Sequence, residues 1–96
     1  MKFLIIGLGS MGQRRIRCLQ NLGNHIIYGF DNNFNRINES VNKYKINGIK
    51  DISFPLENLN IDAIIVSTSP ESHAKYIKIS LVNNLPCFVE ASVNDS

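Results

Sequence analysis

Apolar residues along this chain fall into short dense runs, separated by polar stretches that repeat at helical spacing. Lys2-Phe3-Leu4-Ile5-Ile6 is nearly continuous in apolar side chains, as a strand covered on both faces is. Met11 to about Leu22 changes period. Gly12, Ile16, Leu19 and Leu22 fall on one helical face, and Gly23-Asn24 stops the pattern. His25 to Phe30 reads as the second strand. Asn33 to about Lys45 reads as the second helix, with Phe34, Ile37, Val41 and Tyr44 inward. Asn47-Gly48 turns the chain into a short third strand, Gly48 to Ile52, and Pro55 to Asn60 reads as a turn or single helical turn. Ala63 to Ser67 is bluntly apolar and so belongs near the centre of a sheet. Ser69-Pro70-Glu71 opens a third helix: serine can cap, proline fits the first turn, and glutamate suits the positive end. Its expected inner face is Ala74, Ile77, Leu81 and Leu85, and Pro86 to Glu90 reads as the fifth strand. The tail, Ala91 to Ser96, carries no pattern of its own.

Between the first strand and first helix stands Gly7-Leu8-Gly9-Ser10-Met11-Gly12, a G-x-G-x-x-G loop in the setting that gives it meaning. Gly7 permits the tight turn, Gly9 lets the backbone approach a pyrophosphate, and Gly12 lets helix and sheet pack closely. The helix then begins beneath the phosphates, with its free N–H groups toward the anion. Asp31 closes the second strand near the usual ~20-residue offset, where a carboxylate accepts hydrogen bonds from an adenosine ribose. The alternative is a glycine-rich turn of another α/β protein, with Asp31 capping the next helix. The pattern β-α-β-α-β, short link, β-α-β predicts one doubly wound parallel sheet in the order 3-2-1-4-5. Its crevice lies above the carboxyl ends of strands 1 and 4 and collects Gly7 to Gly12, Asp31 and Ser67 to His73.

Bulk composition narrows the classes. The chain has 96 residues, 44% of them hydrophobic, enough for a single domain with a small core. A net charge of +2 with scattered Lys and Arg, only Arg14-Arg15 being adjacent, gives no nucleic-acid stripe. No stretch is long enough to span a membrane and no secretion signal is present, so the expected compartment is the cytoplasm. Cys18 and Cys87 have no metal or redox spacing and read as reduced core thiols. No metal-ligand cluster and no paired carboxylates suited to glycoside chemistry stand out.

From Lys2 to Glu90 the chain resembles the N-terminal half of the glucose-fructose oxidoreductase, inositol dehydrogenase and rhizopine-catabolism (Gfo/Idh/MocA) family. The resemblance rests on the glycine loop followed by Arg14-Arg15, on Asp31, on Asp62 to His73 with its strand, small-residue turn and Pro-x-x-His, and on Phe88-Val89-Glu90 at the family's Glu-Lys-Pro segment. It implies a Rossmann domain that binds NAD, with NADP left open. It also implies an oxidoreductase passing a hydride between the nicotinamide and a sugar, cyclitol or nucleotide sugar. Gly7, Gly9 and Gly12 would hold the pyrophosphate, with Leu8, Ser10 and Met11 around it, and Asp31 the adenosine ribose. Ser67, Thr68, Pro70 and His73 would line the middle of the cofactor, and Glu90 would stand near the nicotinamide ribose.

The chain departs from the family in carrying Ala91 and Ser92 where Lys and Pro usually follow the glutamate. It is also short, so residues 1–96 are expected to be a cofactor domain without the substrate half, and no catalytic residue is assigned. The resemblance implies a homo-oligomer for a longer protein, formed through that half, and a monomer for the chain alone. A second reading is a non-catalytic nucleotide-sensing module, and a third is a module for S-adenosylmethionine or coenzyme A. For single residues, His73 is either near the cofactor or a helix-capping histidine, and Glu90 either a cofactor contact or a strand-end carboxylate. Arg14 and Arg15 either approach the pyrophosphate or are solvated, and His25 reads as solvated.

Overall fold

The computed structural model describes residues 1–52 and 56–90. The chain forms β1 (Lys2–Ile6), α1 (Ser10–Leu22), β2 (Ile26–Phe30), α2 (Phe34–Tyr44), β3 (Asn47–Gly48), a 3₁₀ turn (Leu56–Leu59), β4 (Ala63–Val66), a second 3₁₀ turn (Pro70–Ser72), α3 (His73–Val82) and β5 (Cys87–Val89). All strand pairs are parallel, in the order β3-β2-β1-β4-β5 expected from the alternation of elements. Central Ile5 stands in register with Gly29 on β2 and Ile65 on β4.

Strand alternation sends neighbouring side chains to opposite faces, and the core divides accordingly. Leu4, Ile6, Ile64 and Val66 point to one side, where they meet Phe30, Leu56, Ile61 and Tyr76. Ile5, Ile27 and Ile65 point to the other, where they meet Ile16 and Leu19 of α1 and Ile37 of α2. Both faces of β1 and β4 are therefore covered, which is why their sequences carry no polar alternation.

Helix ends follow local chemistry. Asn33 caps α2, its Oδ1 accepting from the Asn35 N–H at 3.0 Å, and α2 ends where Lys45 turns left-handed at φ 58°. α1 instead begins at Gly9 with no side-chain cap, so its first N–H groups stay available.

Several expectations are corrected. Leu22 is exposed at the end of α1, and Phe34 lies outside α2's inner face, under the Lys50 ammonium. The buried positions of α2 are Ile37 and Ser40, with Val41 and Tyr44 packed at the edge. Cys18 is exposed, whereas Cys87 is partly buried against the first cluster. β3 pairs only at Asn47 and Gly48, and Ile49 and Ile52 are buried beyond the ladder. In α3 the buried residues are Tyr76 and Ser80, while Ala74 and Leu81 face outward and Ile77 and Leu85 are half-buried. The inward face of that helix is carried by Tyr76 and Ser80 with Ile79 packed beside them. The apolar periodicity therefore failed at Ala74 and Leu81, while Leu85, past the helix end, packs on the first cluster as expected. Pro55 and Ala91 to Ser96 lie outside the described residues.

Candidate functional site

An open cleft of ≈ 700 Å³ lies above the carboxyl ends of β1 and β4, where the strand order reverses. Its floor is Ile6, Gly7, Gly9, Ser10, Met11 and Arg14. One wall is Asp31, Asn32, Asn33 and Arg36, and the other is Ser67, Thr68, Ser69, Ser72 and Tyr76.

The floor is built by hydrogen bonds that lock the loop to both neighbouring strands. The Gly7 N–H donates to the Phe30 carbonyl at 2.8 Å, and the Ser67 N–H donates to the Ile6 carbonyl at 2.7 Å. Gly7 has φ +101°, and a Cβ there would stand 2.7 Å from the Ser67 carbonyl oxygen, so this position demands glycine. A Cβ on Gly12 would overlap the Gly7 carbonyl oxygen, so the third glycine serves the loop's own closure as well as the packing on Ile5. Gly9 is different. A Cβ there would meet only Arg36 Nη1, at 3.8 Å, and would otherwise project into the cleft. The bare backbone of Gly9 and the uncapped start of α1 thus present N–H groups to whatever fills the floor.

Asp31 is buried at 8% exposure, and its carboxylate is already organised. Oδ2 accepts from the Leu8 N–H at 2.8 Å and Oδ1 from the Asn33 N–H at 2.8 Å. One side chain therefore ties the glycine loop to the entry of α2. The two oxygens offer about four acceptor positions, so capacity remains for a ribose. Arg36 Nη1 stands 3.7 Å from Oδ2 on the same wall.

On the opposite side, Glu90 Oε1 accepts from Arg15 Nε at 2.8 Å and from Ser67 Oγ at 3.1 Å. That junction ties α1, the end of β4 and the end of β5 beside the cleft. The bond to Glu90 raises the Arg15 guanidinium above its ordinary value. His73 Nε2 donates to the Thr68 carbonyl at 3.0 Å, which pins the turn after β4. Glu71, at the start of the 3₁₀ turn, is held below the ordinary carboxylate range by its own backbone N–H and by Ser69.

Of the residues expected from sequence, Gly7, Gly9, Ser10, Met11, Asp31, Ser67 and Thr68 line the cleft together. Leu8 turns its side chain wholly into the core and contributes backbone alone. Gly12 lies under the floor. Glu90 and His73 reach the cleft through Ser67 and Thr68, and Pro70 is exposed on the 3₁₀ turn. Arg14 lines the floor, while Arg15 is turned to Glu90. Arg36 and Tyr76 were not anticipated as cleft residues. Arg36 has a readable signal, an arginine on the first turn after the acid. Tyr76 has none, because its direction depends on the rotation of α3. Among the described residues no group of three or more His, Cys, Asp or Glu could hold a metal ion. No helix among them is long and apolar enough to cross a membrane.

The sequence profile of GFO_IDH_MocA, an oxidoreductase family with an NAD-binding Rossmann fold, matches residues 1–91. A comparison with curated proteins finds no match. Solved structures that share the fold include the prephenate dehydrogenase from A. aeolicus in complex with hydroxyphenyl propionate and NAD+. It is 24% identical with a TM-score of 0.85, over 97% of this chain and 34% of that one. A Gfo/Idh/MocA family oxidoreductase from Vibrio cholerae is 20% identical with a TM-score of 0.83, over 93% of this chain and 29% of that one. A putative myo-inositol dehydrogenase from Sinorhizobium meliloti is 17% identical with a TM-score of 0.83, over 98% of this chain and 29% of that one. This chain thus spans about a third or less of the length of the structures it matches.

Proposed function

The chain belongs to the Gfo/Idh/MocA oxidoreductase family, and on that premise we propose that it holds NAD as the cofactor domain of an enzyme acting on a sugar, cyclitol or nucleotide sugar. The observation that carries the reading is the cleft floor: a glycine whose missing Cβ leaves open space, beside an uncapped helix start, facing a buried carboxylate. The residues fit the group. The backbone at Gly9, Ser10 and Met11 would receive the pyrophosphate, and Asp31 the adenosine ribose. Ser67 and Thr68 would flank the remainder, with Glu90 holding Ser67 in place. Bound nicotinamide supplies a carbon that accepts or gives a hydride. The substrate class is supported by the resemblance in motif and by an inositol dehydrogenase among the structural neighbours.

The test is calorimetric titration of the 96-residue chain with NAD and NADP. Saturable binding of NAD, tighter than NADP, is expected, because the Asp31 charge opposes a 2′-phosphate. Absence of binding by either dinucleotide would overturn the reading.

A further inference from the structure

The hydroxyl of Tyr76, in the first turn of α3, has no use in the site described so far. Its residue is 2% exposed, and its ring packs edge-on against Phe30 with the centroids 6.5 Å apart. The Lys75 ammonium lies over the same ring, 5.4 Å from its centroid. The ring is therefore held in place, and the hydroxyl with it. Comparable hydroxyls are satisfied. Tyr44 Oη accepts from Arg17 and donates to Gln13, and Ser80 Oγ donates to the Ile77 carbonyl. Among the described residues Tyr76 Oη has no such partner. Nor is it sealed in, since the one unpartnered side-chain atom enclosed away from solvent there is Ser40 Oγ. Tyr76 lines the cleft, so its small exposed part opens there.

We infer that Tyr76 is a specificity-determining residue whose hydroxyl reads the polar edge of the purine base of a bound dinucleotide. The inference deepens the proposed cofactor reading and rests on it. Position carries the first step. Phe30, on which Tyr76 packs, immediately precedes Asp31, and Asn32 lines the same wall. The base is attached to the ribose that Asp31 would hold, so it belongs at this end of the cleft. There the wall of Asp31 and Asn32 faces the wall of Ser69, Ser72 and Tyr76.

Chemistry carries the second step. A phenol hydroxyl both donates and accepts. The amino group of adenine and the ring nitrogen beside it offer a donor next to an acceptor, so the hydroxyl can bond in either sense. Energetics carry the third. A tyrosine buried this far ordinarily has a partner for its hydroxyl. A ligand that displaces water from the cleft leaves that hydroxyl unsatisfied, at a cost, unless the ligand itself supplies the bond. Phenylalanine would pack on Phe30 without that cost, so the oxygen serves the occupant of the cleft and not the core.

The experiment is titration of the intact chain and of Tyr76→Phe with NAD and with etheno-NAD. In the second ligand a carbon bridge caps the amino group and the neighbouring ring nitrogen of the base. Tyr76→Phe keeps the ring on Phe30, and thermal melting verifies that the variant is folded. A neutral hydrogen bond is worth about threefold to tenfold in affinity. Tyr76→Phe should weaken NAD by that factor and leave etheno-NAD unchanged, so the preference of the unsubstituted chain for NAD narrows in the variant. Where etheno-NAD binds neither protein, the NAD titration decides alone. Unchanged NAD affinity in Tyr76→Phe overturns the inference and leaves the dinucleotide reading intact. Equal weakening of both ligands also overturns it, because the hydroxyl then acts on the shape of the cleft and not on the base edge. Failure of the unsubstituted chain to bind NAD overturns both.

Discussion

At Gly9 the backbone runs at φ −77° and ψ −160°, a conformation open to ordinary residues, and the space beyond it belongs to the cleft. Gly9→Val should therefore fold as the unsubstituted chain does and lose its dinucleotide. Losing two charge-assisted hydrogen bonds to the pyrophosphate removes at least ~100-fold in affinity. Thermal melting paired with calorimetry checks both halves, and normal NAD binding by the variant would reduce the loop to a turn. Gly7 contrasts with it, since φ +101° and the nearby Ser67 carbonyl make it a requirement of the fold. Both glycines and Asp31 were legible in sequence because their reasons are local: a turn, an open floor, the end of a strand. The bond that Asp31 accepts from the Asn33 N–H is a local contact at the helix entry, of the kind the alternative reading of a capping acid offered. The hold of Asp31 on the Leu8 N–H was not legible, because that depends on the glycine loop coming back to the end of β2. Nor was the separation of Arg14 from Arg15. Adjacent helical residues point about 100° apart, and the end of β5 supplies Glu90 to only one of them.

Among elements, the central strands β1 and β4 declared themselves, whereas β3 shrank to Asn47–Gly48 and α3 turned another face inward. Every residue of β4 is buried, so its apolar run had one interpretation. α3 presents Leu81 at 74% exposure and Val82 at 76%, while Tyr76 is 2% exposed and Ser80 1%. Ser80 resolves its own burial by donating to the Ile77 carbonyl at 2.6 Å, and Tyr76 packs edge-on against Phe30. A polar residue satisfied within its own helix is invisible to a count of apolar spacing. The rotation can be checked by a pair of substitutions. Tyr76→Ala should destabilise the chain by about 3–5 kcal/mol, as large aromatic deletions in cores do. Leu81→Ala should stay within ~0.5 kcal/mol. Denaturant unfolding of the two variants decides, and equal losses would restore the face expected from sequence.

For the molecule as a whole, the expected behaviour is recognition without turnover. Among the described residues the one carboxylate lining the cleft is Asp31, at the entry of α2, and His73 is occupied with the Thr68 carbonyl. A positioned acid or base contributes about 10²–10⁴-fold, and orientation of a second reactant contributes more. Nicotinamide absorbance, followed with sugars, inositols and sugar nucleotides as candidates, should therefore show no saturable reaction from residues 1–96. Saturable turnover would place the full machinery within them. The position of β1 at the sheet centre has a further consequence, for the order in which the chain assembles. β1 meets β2 after one short crossover, but its other edge waits for β4, with the Lys2 N–H reaching Asp62 across 60 residues at 2.7 Å. Closing so long a loop costs entropy before its contacts reward it, so β1, α1 and β2 are set to form early and the β1–β4 seam late. The cleft straddles that seam, with Gly7 on one lip and Ser67 on the other. A molecule lying across it acts as a clasp on the last joint to close: stopped-flow refolding and unfolding with NAD should show slower opening at nearly unchanged closing, and the reverse pattern would assign the seam to the nucleus.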